Sequence, residues 1–111
     1  MKYRAESEEV ARVLQFLHKG KENAVKHDVL MSLTGLNDRR LRQALEQARY
    51  DFCICNNQDG KGYYLPKNKR EAKAYLKQEV NRANSIYKRL KGTRDFLDIT
   101  EGQLQFGEEE N

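Results

Sequence analysis

Apolar residues recur at helical spacing near the start of the chain, where Val10, Val13, Leu14 and Leu17 share one face. Ser7 is placed to cap this run and Gly20 to stop it, predicting a first helix over about 7–19. Ala24-Val25 predict a minimal strand, and Val29, Leu30 and Leu33 a short second helix ended by Gly35. Asn37 is placed to cap a third helix, over about 37–50, whose Leu41, Ala44, Leu45 and Ala48 form a narrow apolar stripe among charged and amide side chains. The period then changes. Phe52-Cys53-Ile54-Cys55 and Tyr63-Tyr64-Leu65 are β-prone and enclose the turn-rich Asn57-Gln58-Asp59-Gly60-Lys61-Gly62, which predicts a hairpin over about 52–65. In it Tyr63 and Tyr64 point to opposite faces, one into the core and the other outward or onto the next helix. Asn68 and Glu71 form a capping box opening a long fourth helix, about 68–91, with apolar positions Ala72, Tyr75, Leu76, Val80, Ala83, Ile86, Tyr87 and Leu90. Gly92 weakens its end, and from Asp98 the chain turns acidic.

The fold class this predicts is mainly α with a small β-hairpin (α+β). Helix, short strand, helix, turn, helix, hairpin is the element order of a winged helix-turn-helix, here followed by a long C-terminal helix. The expected organisation is a winged-helix domain over residues 1–97 and a mobile acidic tail over 98–111.

With 111 residues, 38% hydrophobic and 34% charged, the chain suffices for one domain with a small core under a charged surface. No run approaches the roughly 20 apolar residues of a membrane span, and Met1-Lys2-Tyr3-Arg4-Ala5-Glu6 leads into acids rather than an apolar signal core, so a cytoplasmic protein with no membrane contact is expected. Cys53 and Cys55 sit too close in sequence for an unstrained structural disulfide, which fits a reducing compartment. The net charge of +4 conceals an asymmetry. Asp98, Glu101, Glu108, Glu109 and Glu110 lie beyond the last base, so residues 1–97 carry all 21 bases and 17 − 5 = 12 acids, a net of +9. A body this basic predicts a polyanionic partner.

The stretch Asp38-Arg39-Arg40-Leu41-Arg42-Gln43-Ala44-Leu45, followed by Ala48-Arg49-Tyr50, Ile54-Cys55-Asn56, Gly62-Tyr63-Tyr64-Leu65 and a charged helix from Glu71, resembles small winged-helix proteins of phages and prophages of Gram-positive bacteria. There a basic helix, an R-x-x-G-x-x-I-x-S strand and a G-Y-Y/W strand follow in this order. Asp51 stands here for the usual glycine and Asn56 for the usual serine. The resemblance covers roughly residues 8–90 and implies DNA binding, without a target or a process.

On a helical wheel for the third helix, Arg39, Gln43 and Glu46 lie opposite the apolar stripe, with Arg40 and Gln47 beside them. Arginine reads guanine and glutamine reads adenine through paired hydrogen bonds in the major groove, which makes Arg39, Arg40, Arg42, Gln43 and Gln47 candidate DNA contacts. Glu46 on the same face counts against DNA. Asn57 and Lys61 occupy the expected wing tip, and Lys67, Lys69 and Arg70, with Lys73, open the next helix near phosphate reach. Scattered aromatics argue against single strands, so the duplex is the expected partner. His18, His27 and the Cys-x-Cys pair lack the spacing of a metal or catalytic site, and no phosphate loop is present, so neither enzyme activity nor a cofactor is expected. The expected function is sequence-specific duplex binding, as a phage or mobile-element transcriptional regulator or a replication-origin accessory. The alternative is a winged-helix adaptor that binds a phage or host protein. Finally, Ala72, Leu76, Val80, Ala83, Tyr87 and Leu90 are spaced close to a mean of 3.5 residues, a seam that either folds back on the first helix or pairs with a second copy; the homodimer is the favoured expectation.

Overall fold

The computed structural model describes residues 7–99 and is mainly helical, with one small antiparallel sheet. In order come α1 (Ser7–Leu14), a 3-10 turn (Lys21–Asn23), α2 (His27–Thr34), α3 (Asp38–Ala48), β1 (Cys55–Asn56), β2 (Tyr63–Tyr64), α4 (Lys69–Arg89) and α5 (Lys91–Leu97). The acidic segment expected to be mobile lies, from residue 100 on, outside the described residues. The chain divides into two compact units, one ending at Gln78 and the other starting at Glu79, with the sequence of α4 contributing to both.

In the first unit, Val13 and Leu17 meet Leu30, Leu36, Leu41, Ala44, Leu45, Ala48 and Ile54 in one core. Leu30, Leu41 and Val13 are fully enclosed, and burying each such side chain is worth roughly 1.5–3 kcal/mol.

Helix α1 is shorter than its apolar period predicts. It stops at Leu14 because the chain is drawn into pairing with the segment after β2: Leu65 donates to His18 O at 2.9 Å, and Gly20 donates back to Leu65 O at 2.8 Å. The minimal strand expected at Ala24-Val25 is a single antiparallel bridge, in which the Val25 and Tyr63 amides each donate to the other's carbonyl at 2.9 Å. The β2 segment is thus flanked by β1 on one edge and Val25 on the other.

The hairpin forms with strands of two residues each, in the register Cys55↔Tyr64 and Asn56↔Tyr63. Phe52 is not in a strand, because its amide still closes the end of α3 by donating to Ala48 O at 2.9 Å. Past Asn56 the chain is bent by side chains: Asn56 Oδ1 accepts from Gln58 N at 2.8 Å and Asp59 Oδ1 from Lys61 N at 3.1 Å. Both tyrosines are buried, so of the two alternatives expected for the second one the outward position does not occur. Tyr63 joins the main core, while Tyr64 satisfies its hydroxyl by donating to Asn57 Oδ1 at 2.7 Å.

Helix α4 starts one residue later than expected and ends at Arg89. Asn68 Oδ1 accepts from Glu71 N at 3.0 Å, one half of the capping box. The Glu71 carboxylate accepts instead from the backbone N–H of Lys67 (3.1 Å) and of Lys21 (3.2 Å), tying the 3-10 turn to the helix start. In the second unit the break falls at Leu90 rather than at Gly92, which lies inside α5. There Arg94 folds over the Tyr87 ring and donates to Tyr87 O at 2.6 Å.

Cys53 and Cys55 are free thiols with sulfurs 3.9 Å apart, the first exposed and the second buried. Burial, and then the neighbouring Cys53, pushes the Cys55 thiol from 9.0 up to about 12. The unfolded thiol therefore ionises from about pH 9 while the folded one holds its proton, so this stability is complete below pH 9 and is lost as pH rises towards 12. Burial also raises Tyr64, on the same side of neutrality. Urea midpoints should fall through this range, and more shallowly in Cys55→Ala; parallel curves would show that the thiol does not drive the decline.

Candidate nucleic-acid interface

Local capping and one long-range clamp set the direction of α3. Gly35 ends α2 in the left-handed conformation, φ 75°, with its amide on Met31 O. Thr34 Oγ1 donates to Leu30 O at 2.7 Å and accepts from Leu36 N at 3.2 Å, while Arg12 of α1 donates to Thr34 O at 3.0 Å. Asn37 then caps α3, its Oδ1 accepting from Arg40 N at 2.8 Å. With Leu41, Ala44, Leu45 and Ala48 buried, the exposed face carries Arg39, Arg42, Glu46 and Arg49, and Tyr50 follows with 79% of its surface open.

Between this face and β2 runs a groove of about 490 Å³ lined by Arg42, Leu45, Glu46, Arg49, Tyr50 and Tyr63. One histidine outside its lining ties Tyr63 to the start of α3. His27 Nδ1 lies 3.0 Å from the Tyr63 hydroxyl and Nε2 lies 2.7 Å from Asp38 Oδ1. The tautomer with its proton on Nε2 donates to the carboxylate and accepts from the phenol, so both contacts are satisfied. The same Asp38 oxygen accepts from Arg42 Nε at 2.9 Å. Hydrogen bonding from His27, followed by that from Arg42, holds the Asp38 carboxyl below the usual carboxylate range. Arg49 closes the other end: its Nε donates to Ile54 O at 3.1 Å, and its guanidinium lies about 6 Å from the ring centres of Tyr63 and Tyr75.

The expected contacts are thus placed unequally. Arg39 is exposed, with no hydrogen bond or ion pair among the described residues, and Arg42 is exposed but leans on Asp38. Arg40, expected beside the outward face, turns to α1 instead, where its Nε and Nη2 both donate to Glu9 Oε2. Gln43 is half-buried, with its Oε1 buried and unpartnered among the described residues. Gln47 is half-buried and lines a cleft with Val10, Ala11 and Leu14 of α1. In the hairpin, Asn57 is occupied by Tyr64, whereas Lys61 is exposed, with no ion pair among the described residues. Lys67 Nζ pairs with Glu22 at 3.1 Å, and Lys69 and Arg70 are exposed, with no ion pair among the described residues.

Sequence reasoning missed two parts of this surface. A second groove, about 650 Å³, brings Lys21 and Lys26 beside Lys61, and the two acids on its wall, Glu22 and Glu71, are already engaged by Lys67 and by backbone amides. The His27 link joins residues 36 and 11 positions apart, so no local spacing signals it. Among the described residues no cluster of three His, Cys, Asp or Glu could hold a metal ion, and no helix is long and apolar enough to cross a membrane. Comparison with protein families, with curated proteins and with solved structures finds no match for the chain.

Proposed function

We propose that this chain is a winged-helix protein that binds double-stranded DNA sequence-specifically and acts by binding rather than catalysis, with α3 in the major groove and the β1–β2 hairpin as wing. The observation that carries this reading is the exposed basic face of α3, held in one orientation by the Asn37 cap and the Asp38–His27–Tyr63 link, with an open groove between it and the hairpin. The order of elements supports it, and so do the exposed Lys61, Lys69 and Arg70, which carry no ion pair among the described residues and are free to meet phosphates. A cytoplasmic regulator or replication-origin accessory of a phage or mobile element fits the resemblance of its motifs.

Fluorescence anisotropy with labelled duplex tests this. Four phosphate contacts would lower affinity roughly 100-fold between 50 and 200 mM salt, whereas a protein interface changes little. Arg39→Ala should weaken the preferred site more than random DNA, while Lys69→Ala and Arg70→Ala weaken both alike and flatten the salt slope by roughly 1 each. Equal losses in all three variants would remove α3 as the reader.

Exposed Val29 and Leu33 on α2 favour the second reading, an adaptor that docks a phage or host protein, and absence of duplex binding at low salt would select it. We also propose a homodimer through α4. None of its residues is buried, and Leu76, Val80 and Leu90 of the seam are 63%, 48% and 43% exposed. Light scattering should give twice 13.0 kDa for the native chain and a monomer for Leu76→Glu; a native monomer rejects the seam.

A further inference from the structure

Glu46 is an exposed carboxylate in the middle of an arginine-rich helix face, with Arg42 one turn before it and Arg49 one turn after. Arginines at these spacings are the ordinary partners of a helical glutamate. Neither is engaged with it. Arg42 Nε is held by Asp38 Oδ1 at 2.9 Å, and Arg49 Nε donates to Ile54 O at 3.1 Å with its guanidinium 6.0 Å and 5.9 Å from the ring centres of Tyr63 and Tyr75. Asp38 is in turn fixed by His27, and with both arginines engaged elsewhere Glu46 has no hydrogen bond or ion pair among the described residues, on the wall of the groove beside Tyr50 and Tyr63.

A bare carboxylate only accepts hydrogen bonds, and DNA phosphates repel it. In the major groove guanine shows it two acceptors, thymine shows an acceptor and a methyl group, and adenine sets an acceptor beside its amino donor. Cytosine shows a lone N4 amino donor. We propose that Glu46 is the residue of this face that selects cytosine, accepting from its N4 amino group while Arg39 and Arg42, both nearer the start of α3, donate to neighbouring bases that present acceptors. The inference rests on the reading that α3 enters a major groove. It turns the acid of this helix face that argued against DNA into a determinant of which DNA is bound.

Selection of bound duplexes from a random pool, with the native chain and with Glu46→Gln, tests it. The native motif should contain a required cytosine, and the variant should prefer adenine there, because glutamine both donates to and accepts from adenine. Affinity of Glu46→Gln for the native motif should fall about tenfold, with no loss on random DNA. N4-methylcytosine at that position should weaken the native protein by a similar factor, a measurement that needs no variant. An unchanged motif in Glu46→Gln, or an equal gain on every sequence, would show that the carboxylate merely repels the backbone and would overturn the assignment while leaving duplex binding intact. No duplex binding by the native chain at low salt overturns the parent reading and this one together.

Discussion

Gly62→Ala should destabilise the first unit by more than about 3 kcal/mol, whereas Gly60→Ala, two residues away, should cost only about 1 kcal/mol. Both glycines adopt positive φ, 106° at Gly62 and 80° at Gly60, so both pay for a left-handed side chain. The difference lies in what a Cβ would meet. At Gly60 nothing stands within 4 Å, but at Gly62 a Cβ would sit 1.9 Å from Val25 O and 2.3 Å from Val25 C. That neighbour is backbone and has no rotamer to yield. Val25 must move away from β2, which breaks the paired 2.9 Å hydrogen bonds between Val25 and Tyr63, each worth about 1 kcal/mol net. Displacing Tyr63 also disturbs its contact with His27, and through it the start of α3. Urea denaturation of the two variants side by side is the measurement. Equal losses would show that the bridge gives way freely and that the third backbone segment does not support the hairpin.

Arg40→Ala should lower stability by about 2–3 kcal/mol and leave the DNA affinity of the still-folded protein unchanged. Glu9 is a buried carboxylate with only 9% of its side chain open, and Arg40 is its ion-pair partner. Its second oxygen, Oε1, is buried without a hydrogen bond among the described residues, so Oε2 carries the compensation. Breaking a fully buried pair from one side costs roughly 3–5 kcal/mol, and the estimate here is smaller because Arg40 is 36% open and water can replace part of it. Replacing both residues by methionine should recover much of the loss, since the buried carboxylate is then removed together with its partner. Denaturation of the single and double variants, with anisotropy well below their melting range, separates the two roles. A single variant as stable as the native chain but weaker on DNA would return Arg40 to the reading face.

Much of α2 and α3 was legible in the sequence because the information is local. A 3.6-residue apolar period, a glycine free to turn left-handed at Gly35, a capping Asn37 three residues before the amide it accepts from, and Asn68 placed likewise before Glu71 each act within one or two helical turns. The buried stripe of α3 follows from the same period. What the tertiary structure alone decided depends on partners far along the chain. Helix α1 ends at Leu14 because residues 18–20 find hydrogen bonds to Leu65, and the apolar period through Leu17 carries no mark of that competition. A wheel assigns Arg40 an angle, but its long side chain follows the nearest buried charge, Glu9, 31 residues earlier. Arg42 finds Asp38 one turn away on its own helix, but only the fold brings His27, and through it the Tyr63 hydroxyl, to hold that carboxylate, and Glu46 stays bare on the surface. Periodicity determines which backbone becomes a helix and which side is buried; the direction of each long polar side chain is determined by where the fold sets its counter-charge.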